Sequence, residues 1–327
     1  MQPESFEFTP EIERYSWLQE RFREPDEASW TSLYHVIPDG YPAYARIFHP
    51  ASRTKLLGEL TWQQLDADTQ AGIYHYPIET VDEAIRWSEI ANVFGTVMHP
   101  GAQSYRLMRL DVPDNQSAYD AEGWRYEQPR QGSLDAAQLH TLAQVLSEHT
   151  AASEPIITAI WEGWGGLTSS SGSASFGWYS GPFGKIQGWA IRQKQRIAAR
   201  LPHRQAKPGS GLLDVEAASG PRLELPNRNY VLFATELALF VDDSWIGRAP
   251  WLRGNEIHDP QTPSLIWPEN ADWVLATEID FDSTLVAGSR ELIDAILQHP
   301  ELEALEISIN QDLTYGGDTI NAAELAE

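Results

Sequence analysis

No cysteine occurs among the 327 residues, which excludes disulfides, thiolate nucleophiles and Cys-ligated zinc. Basic residues are also scarce. Against 47 Asp and Glu stand 23 Lys and Arg, a net charge of −24, which favours solubility and makes nucleic acid an unlikely partner for the body of the fold. Long apolar runs are absent. The longest, 231–241, is interrupted by Glu236 and is too short to span a bilayer. The first residues, Met1-Gln2-Pro3-Glu4-Ser5-Phe6-Glu7-Phe8, are acidic and lack the apolar core of a signal peptide. A soluble, cytoplasmic protein with no membrane contact is expected.

Aromatic residues, by contrast, are plentiful: 13 Trp, 12 Tyr and 10 Phe within an apolar content of 42%. Such a chain can bury a substantial core and is far from disordered composition. Charge is unevenly placed. Residues 163–213 hold seven Lys or Arg and no Asp or Glu, so they carry +7 and leave −31 for the rest. This basic excursion, spanning 166–212 and including Lys185, Arg192, Arg196 and Arg200, is expected to dock on the protein's own acidic surface or on a second subunit.

Hydrophobic periodicity predicts helices over 12–22, 82–95, 133–148 and 289–297, the third capped by Ser133 and the fourth by Ser289. A hairpin is expected from 33–37 and 43–48 around Pro38-Asp39-Gly40, and a helical segment at most within 56–65. Further strands are expected at 156–161, 212–215, 222–225, 229–234, 264–267, 273–281 and 305–309, followed by a polar tail over 311–327. The fold class is therefore α+β, mostly antiparallel sheet with a few packed helices, the helices more frequent in the N-terminal half. The expectation is a division into an α+β part over 1–152 and a β-rich part over 153–327, or one intertwined domain.

The most suggestive chemistry lies at Asp280-Phe281-Asp282-Ser283-Thr284. Two aspartates one residue apart share a face if they lie in a strand. The stretch resembles the first motif of the haloacid dehalogenase superfamily. That resemblance would make Asp280 a nucleophile and Asp282 an acid/base group beside Mg²⁺. The rest of that family's pattern is incomplete: Ser308-Ile309-Asn310 and Gly317-Asp318-Thr319-Ile320-Asn321 mimic two of its motifs, but no lysine follows Lys207, and only 43 residues follow Thr284. The same residues also suit a strand end and a helix cap.

Other candidates are weaker. Glu162 between Trp161 and Trp164, with Arg228, could line an aromatic cleft for a sugar or amine. His49-Pro50 and His99-Pro100 could act together on an anion or a proton if the fold brought them together. Gly184-Lys185 is not a phosphate loop, since Tyr179 and Ile186 replace its required residues, and nine histidines show no His-Glu-x-x-His spacing. No metal or cofactor is expected.

In Trp161-Glu162-Gly163-Trp164-Gly165, in Arg228-Asn229-Tyr230-Val231-Leu232-Phe233, and in the segment from Trp267 to Thr284, the chain resembles an uncharacterised family of actinobacterial proteins. The resemblance covers roughly residues 30–310 outside the basic excursion. It implies a shared fold, no established activity and no functional residues to carry over. A non-enzymatic binding or interaction protein, one that could form a dimer, is the leading expectation. The alternative is a hydrolase or phosphotransferase using a carboxylate pair from Asp280, Asp282 and Glu162 in an aromatic cleft, with His49 or His99.

Overall fold

The computed structural model describes residues 5–23, 31–111, 117–169, 207–226, 228–242, 244–252 and 260–322. Its strands are β1 Glu7–Phe8, β2 Ala43–Phe48, β3 Ala51–Leu56, β4 Thr80–Ile85, β5 Ala118–Tyr119, β6 Trp124–Glu127 and β7 Ile156–Trp161. They continue with β8 Leu223–Leu225, β9 Arg228–Thr235, β10 Leu265–Pro268, β11 Val274–Ala276, β12 Ser283–Gly288 and β13 Ala304–Glu306. Nine of these make an antiparallel sheet in the order β1-β9-β7-β10-β11-β12-β2-β13, with β8 added to β9. The other four make a smaller antiparallel sheet, β4-β3-β6-β5. The fold is α+β, and strands from both sides of residue 152 share the large sheet.

An antiparallel sheet commonly leaves one face to water, and its strands then alternate apolar and polar. Here both faces are covered, so the strands read as continuous apolar runs. Ile156, Ile160, Val231, Phe233, Ile266 and Val286 face one core. Ile157, Leu232, Leu265, Trp267, Val274 and Leu285 face the other. The first core is roofed by helix Ala136–Glu148, which turns Leu139, Leu142, Ala143 and Leu146 inward at helical spacing. Beside it helix Arg290–Gln298 contributes Leu292, Ile293 and Ile296, with Ser289 Oγ accepting from Leu292 N–H as its cap. On the opposite face lie Tyr15, Leu18, Leu33, Ile37 and Ile307. Full burial of each such Leu or Ile contributes roughly 1.5–3 kcal/mol.

Several expectations are corrected. Residues 33–37 are not a strand: Leu33–His35 is a 3-10 turn, and Leu33, Val36 and Ile37 bury at one-turn spacing. The expected partner strand 43–48 pairs instead with β12 and β13. It then passes through His49-Pro50 into β3, so this dipeptide is where the chain crosses between the two sheets. The first four residues of the expected helix 82–95 belong to strand β4, because β3 captures its acidic residues. Arg53 pairs with Glu83 (2.7 Å) and Thr54 Oγ1 donates to Asp82 (2.6 Å). Only Trp87–Phe94 is helical, ended by Gly95 in the left-handed conformation (φ 65°).

Asp135, not Ser133, caps helix Ala136–Glu148, accepting from Ala137 and Gln138 N–H. Ser133 is buried and hydrogen-bonds Thr262. The helix within 56–65 runs longer than expected, as Trp62–Gln70 with a Thr61–Gln64 capping box. Residues 212–215 are no strand, since helix Val215–Ser219 starts there with Asp214 as its cap. Of the expected tail, residues 311–322 pack on the body, with Leu313 and Asp318 buried.

Candidate functional site

The candidate residues fall into two groups. The first surrounds Arg46, the one charged residue of β2. Its neighbours on the same sheet face are Tyr44 and Phe48 by strand alternation, and it is 1% exposed. Its Nε donates to Ser283 Oγ (2.8 Å) and its Nη1 to the carbonyls of Pro100 (2.9 Å) and Ala102 (2.7 Å). Nη2 meets Asp282 Oδ1 at 3.3 Å, while Ser104 Oγ donates to Asp282 Oδ2 at 2.8 Å. The guanidinium also lies over the rings of Phe48 and Trp87. Burial presses both ions toward neutrality: it pulls Arg46 down to about 10 against the opposing pull of Asp282. It also pushes the Asp282 carboxyl up despite Arg46 and Ser104.

His49 is buried at the crossing between sheets. Its Nδ1 lies 2.8 Å from the Arg130 carbonyl, which can only accept, so Nδ1 carries the proton. Burial lowers the imidazole to about 4, so the ring is neutral and Nε2 accepts from Thr284 Oγ1–H (2.9 Å). Thr284 in turn accepts from Thr277 Oγ1–H (2.8 Å). The backbone N–H of His49 donates to the Asp282 carbonyl (3.1 Å), and its carbonyl accepts from Trp87 Nε1–H (2.8 Å). Every polar atom of His49 therefore has a partner inside the fold.

His99 takes the complementary arrangement. Its Nδ1 accepts from Gly101 N–H (3.2 Å), leaving Nε2–H to donate to Asp318 (2.9 Å). Burial alone would raise Asp318, but N–H groups of Asn321 and Gln103 with the Asn321 and His99 side chains hold its carboxylate below the ordinary range. Both His-Pro pairs thus border the Arg46 network. Their rings turn to separate partners and do not converge.

The second group sits at the end of β7 and the start of β9. Arg228 pairs with Glu278 (2.6 Å) and Asp280 (3.1 Å) and lies over the Trp161 ring. Trp161 and Trp164 meet edge to face at 5.7 Å. Glu162 turns away from them, accepting from Arg222 Nε and Asn229 Nδ2, each at 2.9 Å. Burial raises Glu278 against the pull of Arg228, and burial with Arg228 nearby lowers His35.

Asp280 and Asp282 do not share a strand face. The expected strand 273–281 ends at Ala276, and a turn over 279–280 leaves Asp280 exposed on Arg228 while Asp282 enters the Arg46 network. That turn is braced by Gly132, whose N–H donates to the Phe281 carbonyl (2.9 Å) at φ 74°. A Cβ there would fall 2.7 Å from the Ile279 carbonyl oxygen. Gly132→Ala is therefore expected to cost about 1–2 kcal/mol for the left-handed backbone and more for the clash. Gly40→Ala, at positive φ in open space, should cost the backbone contribution alone. Urea unfolding of the two variants compares them.

Sequence inspection missed Arg46, Ser104, Glu278 and Asp318. A lone arginine inside the apolar run Ala43-Tyr44-Ala45-Arg46-Ile47-Phe48 was a usable signal, since a buried charge must be paired. Ser104 and Glu278 carried none, and Asp318 stood only in a segment that mimics a dehalogenase motif. Beside the crossing from β2 to β3 lies a cleft of about 520 Å³ lined by Asp82, Glu83, Glu127, Arg130 and Asp135, of which Glu83 is paired with Arg53 and Glu127 with Arg125. Among the described residues no group of three or more His, Asp or Glu could hold a metal ion. Lys185, Arg192, Arg196 and Arg200 lie outside the described residues. Comparison of the chain with protein-family models, with curated proteins and with solved structures finds no match.

Proposed function

We propose that the protein is a non-enzymatic binding or interaction protein of the cytoplasm, whose basic excursion over 166–212 docks on the acidic surface of its own body or of a second copy. One observation carries this reading: each candidate acidic group already has an internal partner. Asp282 is held by Arg46 and Ser104, Asp280 by Arg228, and Glu162 by Arg222 and Asn229. The carboxylate pair of a hydrolase or phosphotransferase needs two groups facing one substrate, and these face different ways. Among the described residues no helix is long and apolar enough to cross a membrane.

Exposed charges separated by more than about 10 Å are screened at 0.1 M salt, which supplies a test. The variant with Lys185, Arg192, Arg196 and Arg200 all changed to Gln should behave at low salt as the wild type does at high salt. The readouts are sedimentation and the rate of limited proteolysis. Loss of a low-salt dimer would indicate docking on a second copy, and faster proteolysis of a monomer would indicate docking on the same body. Identical behaviour of variant and wild type in both would contradict the docking role.

A further inference from the structure

Strand β4 is an edge of the small sheet, hydrogen-bonded to β3 alone among the described strands. Its pairing phase follows from one bond. Leu57 N–H donates to the Glu79 carbonyl at 2.9 Å, one step beyond the register in which Leu56 faces Thr80 and Lys55 faces Val81. Hydrogen-bonded and non-bonded pairs alternate in an antiparallel ladder. Val81, Glu83 and Ile85 therefore spend their N–H and C=O groups on β3. Thr80, Asp82 and Ala84 direct theirs outward along the edge. All five residues from Thr80 to Ala84 are exposed.

The approach to this edge is apolar. Ile73, Tyr74, Tyr76, Ile78 and Val81 are exposed, Tyr76 to 87%, and Leu57 beside Glu79 is exposed as well. Single exposed apolar residues are ordinary, whereas a run of them beside an open strand edge forms a surface. At the other end of β4, Asp82 borders the cleft and accepts from the hydroxyls of Thr54 and Thr80, while Glu83 and Glu127 are paired with Arg53 and Arg125.

We propose that the outer edge of β4 takes an extended basic segment of a partner, which adds as a strand with a Lys or Arg side chain over Asp82 on one face and an apolar residue over Val81 on the other. Strand addition takes affinity from main-chain hydrogen bonds and specificity from alternate side chains. Charge decides between a basic partner and a second copy. Antiparallel pairing of β4 with itself through these outward groups, centred on the strand, would set Asp82 against its own copy, or Glu83 against its own copy or against Glu79, and like charges directly opposite are destabilising. This rests on reading the molecule as an interaction protein. Neutralising the 185–200 cations leaves β4 untouched, so failure of that docking role and failure of this edge are separately readable.

The test is fluorescence anisotropy of the full chain with a labelled peptide of alternating lysine and valine. Ala84→Pro removes an outward N–H and places the ring where the partner strand must approach, while no bond to β3 is lost; proline is tolerated on an edge in this way. Binding by the wild type is expected, weakened about tenfold or more by Ala84→Pro. A peptide N-methylated at alternate residues, which leaves the protein unaltered, should lose affinity similarly. A peptide alternating glutamate and valine should not bind. The proposal is overturned if the lysine–valine peptide fails to bind or if the methylated peptide binds equally well. It is also overturned if the wild type forms a dimer that Ala84→Pro dissolves while the peptide is ignored.

Discussion

Replacing Arg46 with alanine is expected to cost about 3–5 kcal/mol of folding stability, the usual consequence of removing one partner from a buried ion pair. A domain is commonly stable by only about 5–15 kcal/mol, so this variant should stand near the threshold of folding. The loss has identifiable parts. Asp282 keeps the hydroxyl of Ser104 but loses its cation while buried. The carbonyls of Pro100 and Ala102 lose the guanidinium that both accept from, and Ser283 Oγ loses its donor. A void opens beside Phe48 and Trp87, the two rings against which the guanidinium packs. Arg46→Lys keeps the charge without the planar fork, which cannot then serve four acceptors at once, and should fall between wild type and Arg46→Ala. Urea denaturation gives the order directly.

Stability should also fall as the pH drops from about 6.5 to about 4, by roughly 3 kcal/mol from His49 alone. Its imidazole is depressed by burial from 6.5 to about 4 in the folded protein, and each pH unit of such a shift corresponds to about 1.4 kcal/mol. The sign follows from proton uptake. Below 6.5 the unfolded chain binds a proton that folded His49 refuses, so the stabilisation present above 6.5 drains away until the folded group also titrates near 4. His35, lowered by burial and Arg228, adds in the same direction. Asp282 has the opposite sign, because its carboxyl is pushed up by burial and folding favours its protonated form as the pH falls. His49→Asn separates the contributions. The variant should be less stable at neutral pH, and its stability should change much less than the wild type's across the same window in pH-dependent urea unfolding.

Elements that bury a locally periodic face were legible in the sequence. The runs that became β7 and β9 are β-branched and aromatic, and Leu292, Ile293 and Ile296 follow a serine cap at helical spacing. What misled was competition from distant partners. Asp82-Glu83-Ala84-Ile85 looks like an acidic first turn of a helix, yet Arg53 and Thr54 of β3 hold it as a strand. Leu33-Tyr34-His35-Val36-Ile37 looks like a strand, yet Leu33 N–H is taken by the carbonyl of Ile309 and the segment curls into a turn.

The candidate site was partly legible. Trp161, Arg228 and Asp280 do assemble, and the two His-Pro pairs do border one buried network. The expected shared face of Asp280 and Asp282 fails because a turn over 279–280, braced by Gly132, intervenes. Local spacing cannot reveal that brace, since Gly132 comes from a loop well over a hundred residues earlier.

That the buried network around Arg46, Asp282 and His49 holds the fold together is tested most directly by a stability cycle of Arg46→Met, Asp282→Leu and the double variant. Removing either partner alone leaves a buried charge unpaired, whereas replacing both with apolar side chains removes the uncompensated charge. Each single variant should lose several kcal/mol in urea unfolding, and the double variant should recover a large part of that loss. Losses that simply add, with the double variant the least stable of the three, would contradict it.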